Sequence, residues 1–576
     1  MGKAHSSPPI SRREFLGQAS CAAVGSSALF STLLTLRLAN SLSAQTAPAS
    51  GDYKALVCLF LAGGNDSWNM LVPTTAGEYA AYAKARANLA LAPDTILGLT
   101  PNNLGGRTLG LHPSMPELRD LFNAGKLGFV SNVGSLIRPL SLADYRAGTA
   151  LPVSLYSHAD QVKQWQTCIP DARTAIGWGG RAADIIASLN DPSLVSMNIS
   201  LSGQNIFLTG QNAFTYSIGA SGATALTGYN AAAVNSLTAQ RTKAVDGMLG
   251  QQYQSLFEQT YANTTRESID AYQQFSSALS GITLSTVIPT GNSVASNLAM
   301  VAKTIAARAK LGVRRQIFFV MLGGFDLHDN LLTNHPGLLS TVSKGVNTFW
   351  LALNEIGMQD QVTLFSASDF ARTLTSNGDG SDHAWGANHF VMGGAVAGRQ
   401  VFGDPTAGYY PDLQNSAAID TGQGRLIPGV AVDEYARDLL SWFGVSDANL
   451  DYVLPAFSSR FGGRPQLGIF NPSIVALQPT GDPAPPPLGS SSPTSDPSPP
   501  SVPDSTPTTT VSPTPTTTPI TTTPTSTPTS SPKANPSSGG GGGGGGAVSP
   551  LFLAALGAAA LVRLRQKRMA KKTTED

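Results

Sequence analysis

Four continuous apolar runs mark this chain, and three of them stop in the same kind of place. The run Leu56 to Leu61 leads into Gly63-Gly64-Asn65-Asp66. The run within residues 315–330 leads into Gly323-Gly324-Phe325-Asp326-Leu327-His328, and the run within 360–373 leads into Ser366-Ala367-Ser368-Asp369. The fourth occupies residues 126–134. Runs without polar alternation read as strands buried on both faces, the signature of a parallel sheet covered on both sides. Helix-length segments lie between them; one places Leu339, Val342, Val346, Phe349, Trp350 and Leu353 at helical spacing. Strands alternating with helices predict an α/β fold, a mainly parallel central sheet flanked by helices.

In open α/β sheets a ligand site lies beyond the carboxyl ends of the strands. The strand-end residues Asp66, Asp326, His328 and Asp369 are therefore expected to meet on one rim. Gly-Gly pairs let the backbone turn sharply and stay close to that rim. The loop after the run within 360–373, GSDHAWGANHF at 380–390, adds Asp382, His383 and His389, in a chain with only seven histidines. Imidazole and carboxylate together suit a divalent ion, zinc or manganese before magnesium or calcium. One or two ions in such a site would clamp a phosphoryl or sulfuryl group. Each piece also has a plainer use. Asp66 fits a helix N-cap, and Asp326-x-His328 fits a turn.

The charge balance is +1 over 576 residues, which gives no electrostatic basis for nucleic-acid binding. Charged residues make up only 13%, well below the usual quarter. The ends of the chain account for part of this. Residues 1–44 read as an export signal, and Arg12-Arg13 followed by Phe15-Leu16 resembles the twin-arginine type. Residues 480–546 are rich in proline, threonine, serine and finally glycine, and are expected to form a disordered stalk. Residues 547–562 form a short apolar segment, expected to be a transmembrane helix, and 563–576 a basic tail on the cytoplasmic side. A glycine run, apolar helix and basic tail in that order resemble the GlyGly-CTERM sorting tail, which implies processing by a rhomboid-type protease. The expected location is beyond the bacterial inner membrane, in the periplasm or at the cell surface, with the C-terminal anchor kept or removed. The twin-arginine translocase, the sorting protease and the inner membrane are the expected partners. The folded part is then 52–479, with a helical insertion at about 225–280. Outside the signal two cysteines remain, Cys58 and Cys168, and the sequence leaves their pairing open.

The stretches FLAGGNDSWNMLVP, LHPSMPEL, SHADQVKQW, GWGGRAADI, GGFDLHDN and SDHAWGANHFVMGGAVAG, within a match that runs from about residue 54 to 446, resemble the uncharacterised-domain family fifteen-oh-one. Its members are exported bacterial proteins placed in the alkaline phosphatase and sulfatase superfamily. The resemblance implies an alkaline phosphatase-like fold with Asp66 as the strand-end ligand, Asp326 with His328 as a second pair, Asp382-His383 as a third, and His389 as a distal ligand. Asp369 competes with Asp382 for one role, and the local text SDFAR departs from the family's SEFGR. The superfamily also needs a nucleophile, for which Ser157 at a helix start fits best, with His158 beside it. Arg181 and Arg372 are the candidates for binding substrate anions. The Cys/Ser-x-Pro-x-Arg motif of ordinary sulfatases is not seen near Ser157 or Cys168. The resulting expectation is an exported metal-dependent hydrolase of phosphate or sulfate esters. The alternative is a non-catalytic cell-surface binding or scaffold protein that keeps the fold.

Overall fold

A computed structural model of the chain describes residues 53–472. The export signal, the stalk, the apolar segment and the basic tail lie outside the described residues. Among those described, no helix is long and apolar enough to cross a membrane.

The strands, in chain order, are β1 (Lys54–Leu61), β2 (Leu71–Pro73), β3 (Leu97–Leu99), β4 (Leu109–Leu111), β5 (Leu127–Gly134), β6 (Asn198–Ser200), β7 (Thr215–Ser217), β8 (Arg315–Leu322), β9 (Val362–Ser368), β10 (Ala387–Met392), β11 (Val401–Phe402) and β12 (Val430–Ala431). The main sheet runs β11-β5-β10-β9-β1-β8-β6-β7, with β12 paired beside β5. Strands β2, β4 and β3 form a small antiparallel sheet. In the main sheet β1 pairs in parallel with both β8 and β9. Strand β10 is the exception, antiparallel to both β5 and β9.

The central strand shows why unbroken apolar runs were needed. All eight residues of β1 are buried. Ala55, Val57, Leu59 and Leu61 enter one core, while Leu56, Cys58 and Phe60 enter the other. The first core is completed by the helices Pro116–Asn123, Ser293–Ala306 and Leu331–Glu355, through Leu118, Leu298, Val301, Leu339, Val346 and Phe349. The second is completed by His158–Thr167, Trp178–Ile186 and Val432–Phe443, through Trp165, Trp178, Ile186, Tyr435 and Trp442. The result is a helix–sheet–helix sandwich. A fully buried Leu or Phe contributes roughly 1.5–3 kcal/mol, so a polar residue at any of these positions would act against the core it enters. Helices Leu237–Leu249 and Leu256–Leu279 fall in the stretch read as an insertion. Cys58 and Cys168 are both buried free thiols, and no disulfide joins them.

The direction of β10 matters for the site. Because it runs against β9, its N-terminal end lies on the same rim as the C-terminal ends of β1, β8 and β9. The residues just before β10 reach the rim. Those within it are carried away at about 3.3 Å per residue.

Candidate metal centre

Three histidines and one aspartate converge on this rim. Asp326 follows β8, His383 precedes β10, His328 lies two residues beyond Asp326, and His158 opens the helix His158–Thr167. Nε2 of His383 lies 3.1 Å from Nε2 of His158 and 2.9 Å from Nε2 of His328. Oδ1 of Asp326 lies 3.5 Å from Nε2 of His158, 3.2 Å from that of His328 and 3.6 Å from that of His383.

Each ring is held from behind through its other nitrogen. Nδ1 of His158 meets Oδ2 of Asp369 at 2.7 Å. Nδ1 of His328 meets Oδ1 of Asp382 at 3.2 Å. Nδ1 of His383 meets the carbonyl of Tyr156 at 2.8 Å. Carboxylates and carbonyls only accept, so each Nδ1 carries a proton, and in the neutral ring each Nε2 presents a lone pair. Three lone pairs and a carboxylate oxygen facing one another repel unless a cation lies among them. Histidine backed by an acceptor through its second nitrogen is the arrangement found around bound metals. The residues present therefore fit a divalent ion. His158, His383 and Asp326, whose ligand atoms all lie within 4.8 Å of one another, would hold it, with His328 beside them, 2.9 Å from His383.

Asp326 is fixed by Arg372, a fully buried side chain that also donates to the carbonyls of Gly63, Gly64 and Ser381. Burial alone would raise the Asp326 carboxyl. Arg372, by hydrogen bond and by charge, counters it and the group lies below its ordinary value. Burial lowers His383, aided by the nearby charge of Arg372, and this keeps the imidazole in the neutral, ligating form. Burial likewise acts upward on Asp382. Its hydrogen bonds from Asn377 and His328 and the charge of Arg425 carry it below its ordinary value, so it stays an acceptor.

One glycine makes this approach possible. Gly63 sits at φ 116°, and a Cβ there would stand 2.4 Å from the Asp326 backbone nitrogen and 2.9 Å from the Phe325 carbonyl carbon. Its N–H donates to Oδ1 of Asp369 at 3.0 Å. The turn after β1 thus ties the ends of β8 and β9 together.

Several expected site residues take other places. Asp66 does not join the cluster; it forms an internal ion pair with Arg86, both buried, because a carboxylate in that interior requires a partner. His389 lies inside β10, fully buried between Trp165 and Tyr435 on the second core face. Burial pushes it down to about 3. Asp369 and Asp382 stand behind histidines, in place of direct contact with the convergence point. Ser157 caps its helix by position, and its hydroxyl donates to Asp160 at 3.0 Å, away from the rings. His158 beside it supplies a converging nitrogen, a role different from a catalytic base. Arg181 is buried and donates to the carbonyls of Val453, Ile176 and Thr167, so its fork is engaged by the chain. Arg372 is engaged in the same way. The sequence reading missed the Tyr156 carbonyl, since a backbone oxygen leaves no residue-type signal. Tyr156 sits at φ 72°, a backbone conformation that aims this carbonyl at His383.

The family model described as "Protein of unknown function (DUF1501)" matches residues 146–418, a span that contains all four converging residues and their carboxylate partners. Over that span the chain is similar to this family. No curated protein matches it. Among solved structures, the lipoteichoic acid synthase LtaP from Listeria monocytogenes aligns over 68% of this chain and 80% of its own, at 9% identity and a TM-score of 0.25. Ps i-CgsB aligns over 71% and 77%, at 11% identity and a TM-score of 0.26, both alone and in complex with k-i-k-neocarrahexaose. Scores this low support no argument about fold or activity, and the site stands on its own geometry.

Proposed function

We propose that this protein is an exported metal-dependent hydrolase of phosphate or sulfate esters, with an alkaline phosphatase-like arrangement of sheet and site. The observation that supports it is the convergence of three acceptor-backed histidine nitrogens on the Asp326 carboxylate. Neutral imidazoles and one carboxylate favour zinc over the oxygen-preferring ions, and the ligand atoms of His158, His383 and Asp326, all within 4.8 Å of one another, suit a single ion. Such an ion supplies Lewis acidity toward an ester oxygen and acidifies water. The chain's own residues orient and hold. Asp369, Asp382 and the Tyr156 carbonyl keep the ring protons on Nδ1. Arg372 fixes Asp326 and keeps it ionised. Asp326 and the rings stay partly exposed, open to a substrate from the solvent side. Delivery by the twin-arginine translocase, a stalked position beyond the inner membrane and release by a rhomboid-type protease complete the proposal.

The test is metal analysis of the purified protein together with hydrolysis of aryl phosphates and aryl sulfates. His383→Ala should remove both metal and turnover. Unchanged metal content in that variant would overturn the site. Metal without turnover in the parent protein would favour the non-catalytic binding protein instead.

A further inference from the structure

The residues around the rim contain one guanidinium whose fork is not engaged. Arg425 is half-buried, and its Nε donates to the His383 carbonyl at 2.8 Å. Its guanidinium lies over the Tyr156 ring, 5.5 Å from the centroid. It therefore touches both His383 and the residue that backs His383. Among the described residues, none accepts a hydrogen bond from its Nη atoms, whereas the forks of Arg181 and Arg372 are filled by carbonyls and a carboxylate.

The loop that presents Arg425 is built for rigidity. The Asp420 carboxylate accepts from the N–H groups of Gly422 and Gly424, at 2.8 and 3.2 Å. The Arg425 carbonyl accepts from Thr421, through both its N–H and its hydroxyl, each at 3.0 Å. The Gln423 carbonyl accepts from the Thr375 hydroxyl at 2.9 Å, which pins the loop to the segment after β9. Gly424, at φ 70°, packs where a Cβ would stand 2.3 Å from Leu374 Cβ. Arg425 also lies beyond the family-matched span, which ends at 418.

The charges in contact with the histidines or their partners are Asp326, Asp369 and Asp382 against Arg372 and Arg425. Three carboxylates and two guanidiniums leave one negative charge, and a single divalent ion turns this into one positive charge. That balance matches a singly charged oxyanion. A dianion would leave the site negative, and burying unbalanced charge near a low-dielectric wall is costly.

Building on the hydrolase reading above, we propose that Arg425 receives the non-bridging oxygens of a singly charged ester, a phosphodiester or a sulfate monoester, beside the histidine cluster. A planar guanidinium grips two such oxygens at once through parallel charge-assisted hydrogen bonds. Doubly charged phosphate monoesters are the disfavoured class.

The test is calorimetric titration of the full zinc-loaded chain, at about pH 8, where a phosphate monoester is a dianion. Dimethyl phosphate and methyl sulfate are the singly charged probes, and methyl phosphate the doubly charged one. The parent protein should bind the first two more tightly than the third. Arg425→Gln should weaken the first two by about tenfold to a hundredfold, the range for a charge-assisted hydrogen bond lost, with zinc content and circular dichroism unchanged. Arg425→Lys, which keeps the charge without the fork, should fall between. Unchanged affinity in Arg425→Gln, tightest binding of methyl phosphate by the parent, or zinc-loaded parent that binds none of the three would overturn the assignment while leaving the metal centre standing. Loss of zinc from Arg425→Gln would overturn it too, by showing that Arg425 acts only through His383. A parent protein that takes up no zinc would sink the centre and this proposal with it.

Discussion

Asp369→Asn is the most incisive change available at the rim, because it preserves shape and reverses a proton. The Asp369 side chain is 4% exposed and uses both oxygens, Oδ1 for the Gly63 N–H and Oδ2 for His158 Nδ1 at 2.7 Å. In the amide the oxygen is claimed by Gly63, which leaves the NH2 group facing the ring. A donor facing Nδ1 forces the ring proton to Nε2, and His158 then points an N–H at the centre. Loss of a second-sphere partner typically costs 10–100-fold in metal affinity, roughly 1.4–2.7 kcal/mol. The upper end applies here, since the partner is buried and the tautomer is inverted. Asp382→Asn is the internal control. Asp382 is 40% exposed, its contact with His328 is longer at 3.2 Å, and water can replace it. It should sit at the lower end. Zinc affinity measured by competition with a chromogenic chelator, with folding checked by circular dichroism, gives the order directly. An Asp369→Asn protein with parental affinity, or one less affected than Asp382→Asn, would refute the assignment of His158 as an acceptor-backed donor.

Two further outcomes follow from the packing. Gly63→Ala should lower both melting temperature and zinc affinity, since the backbone conformation alone carries roughly 1–3 kcal/mol of strain for a side chain and the new Cβ collides with the Asp326 backbone. Gly323→Ala, with open space around it, should change stability by no more than about 0.5 kcal/mol; equal effects would remove the role given to Gly63. Acid stability offers a third check. Burial lowers His389 from 6.5 to about 3, so between those values the unfolded chain takes up a proton that the folded chain refuses. Its contribution is full above pH 6.5 and declines as pH falls toward 3, by about 2 kcal/mol between pH 6.5 and 5. His335, lowered to about 3, and His112, lowered to about 4, act in the same direction. Asp433, raised to about 7 by burial, opposes them, since its contribution is full below the ordinary carboxyl value and is lost as pH rises through 7. His389→Phe keeps a ring between Trp165 and Tyr435, so its melting temperature should fall less than the parent's between pH 6.5 and 5. A parallel pH dependence would refute the buried neutral state.

The legible part of this protein was written in local patterns. Unbroken apolar runs gave β1, β5, β8 and β9, because a strand buried on both faces leaves no room for alternation. Asp326, His328 and His383 were legible for the same reason, since short turns fix where a strand-end residue goes. What escaped the sequence depends on partners far along the chain. Asp66 looks like Asp326 until Arg86 is seen beside it. His389 looks like His383 until β10 proves antiparallel and carries it inward. Asp369 and Asp382 have the chemistry of ligands, and only the ring nitrogens facing them assign them to the second row. Arg372 and Arg425 are indistinguishable as letters. Three backbone carbonyls occupy one and leave the other open.

The converging donors come from chain positions 158, 326, 328 and 383, on three segments that meet only when the sheet is complete. No hairpin or lone helix contains enough of them to capture an ion early. Binding of the proposed ion would therefore wait for the finished topology and then lock it, adding about 4 kcal/mol at a thousandfold excess of ion over its dissociation constant. Metal occupancy in this chain would report on whether folding has finished.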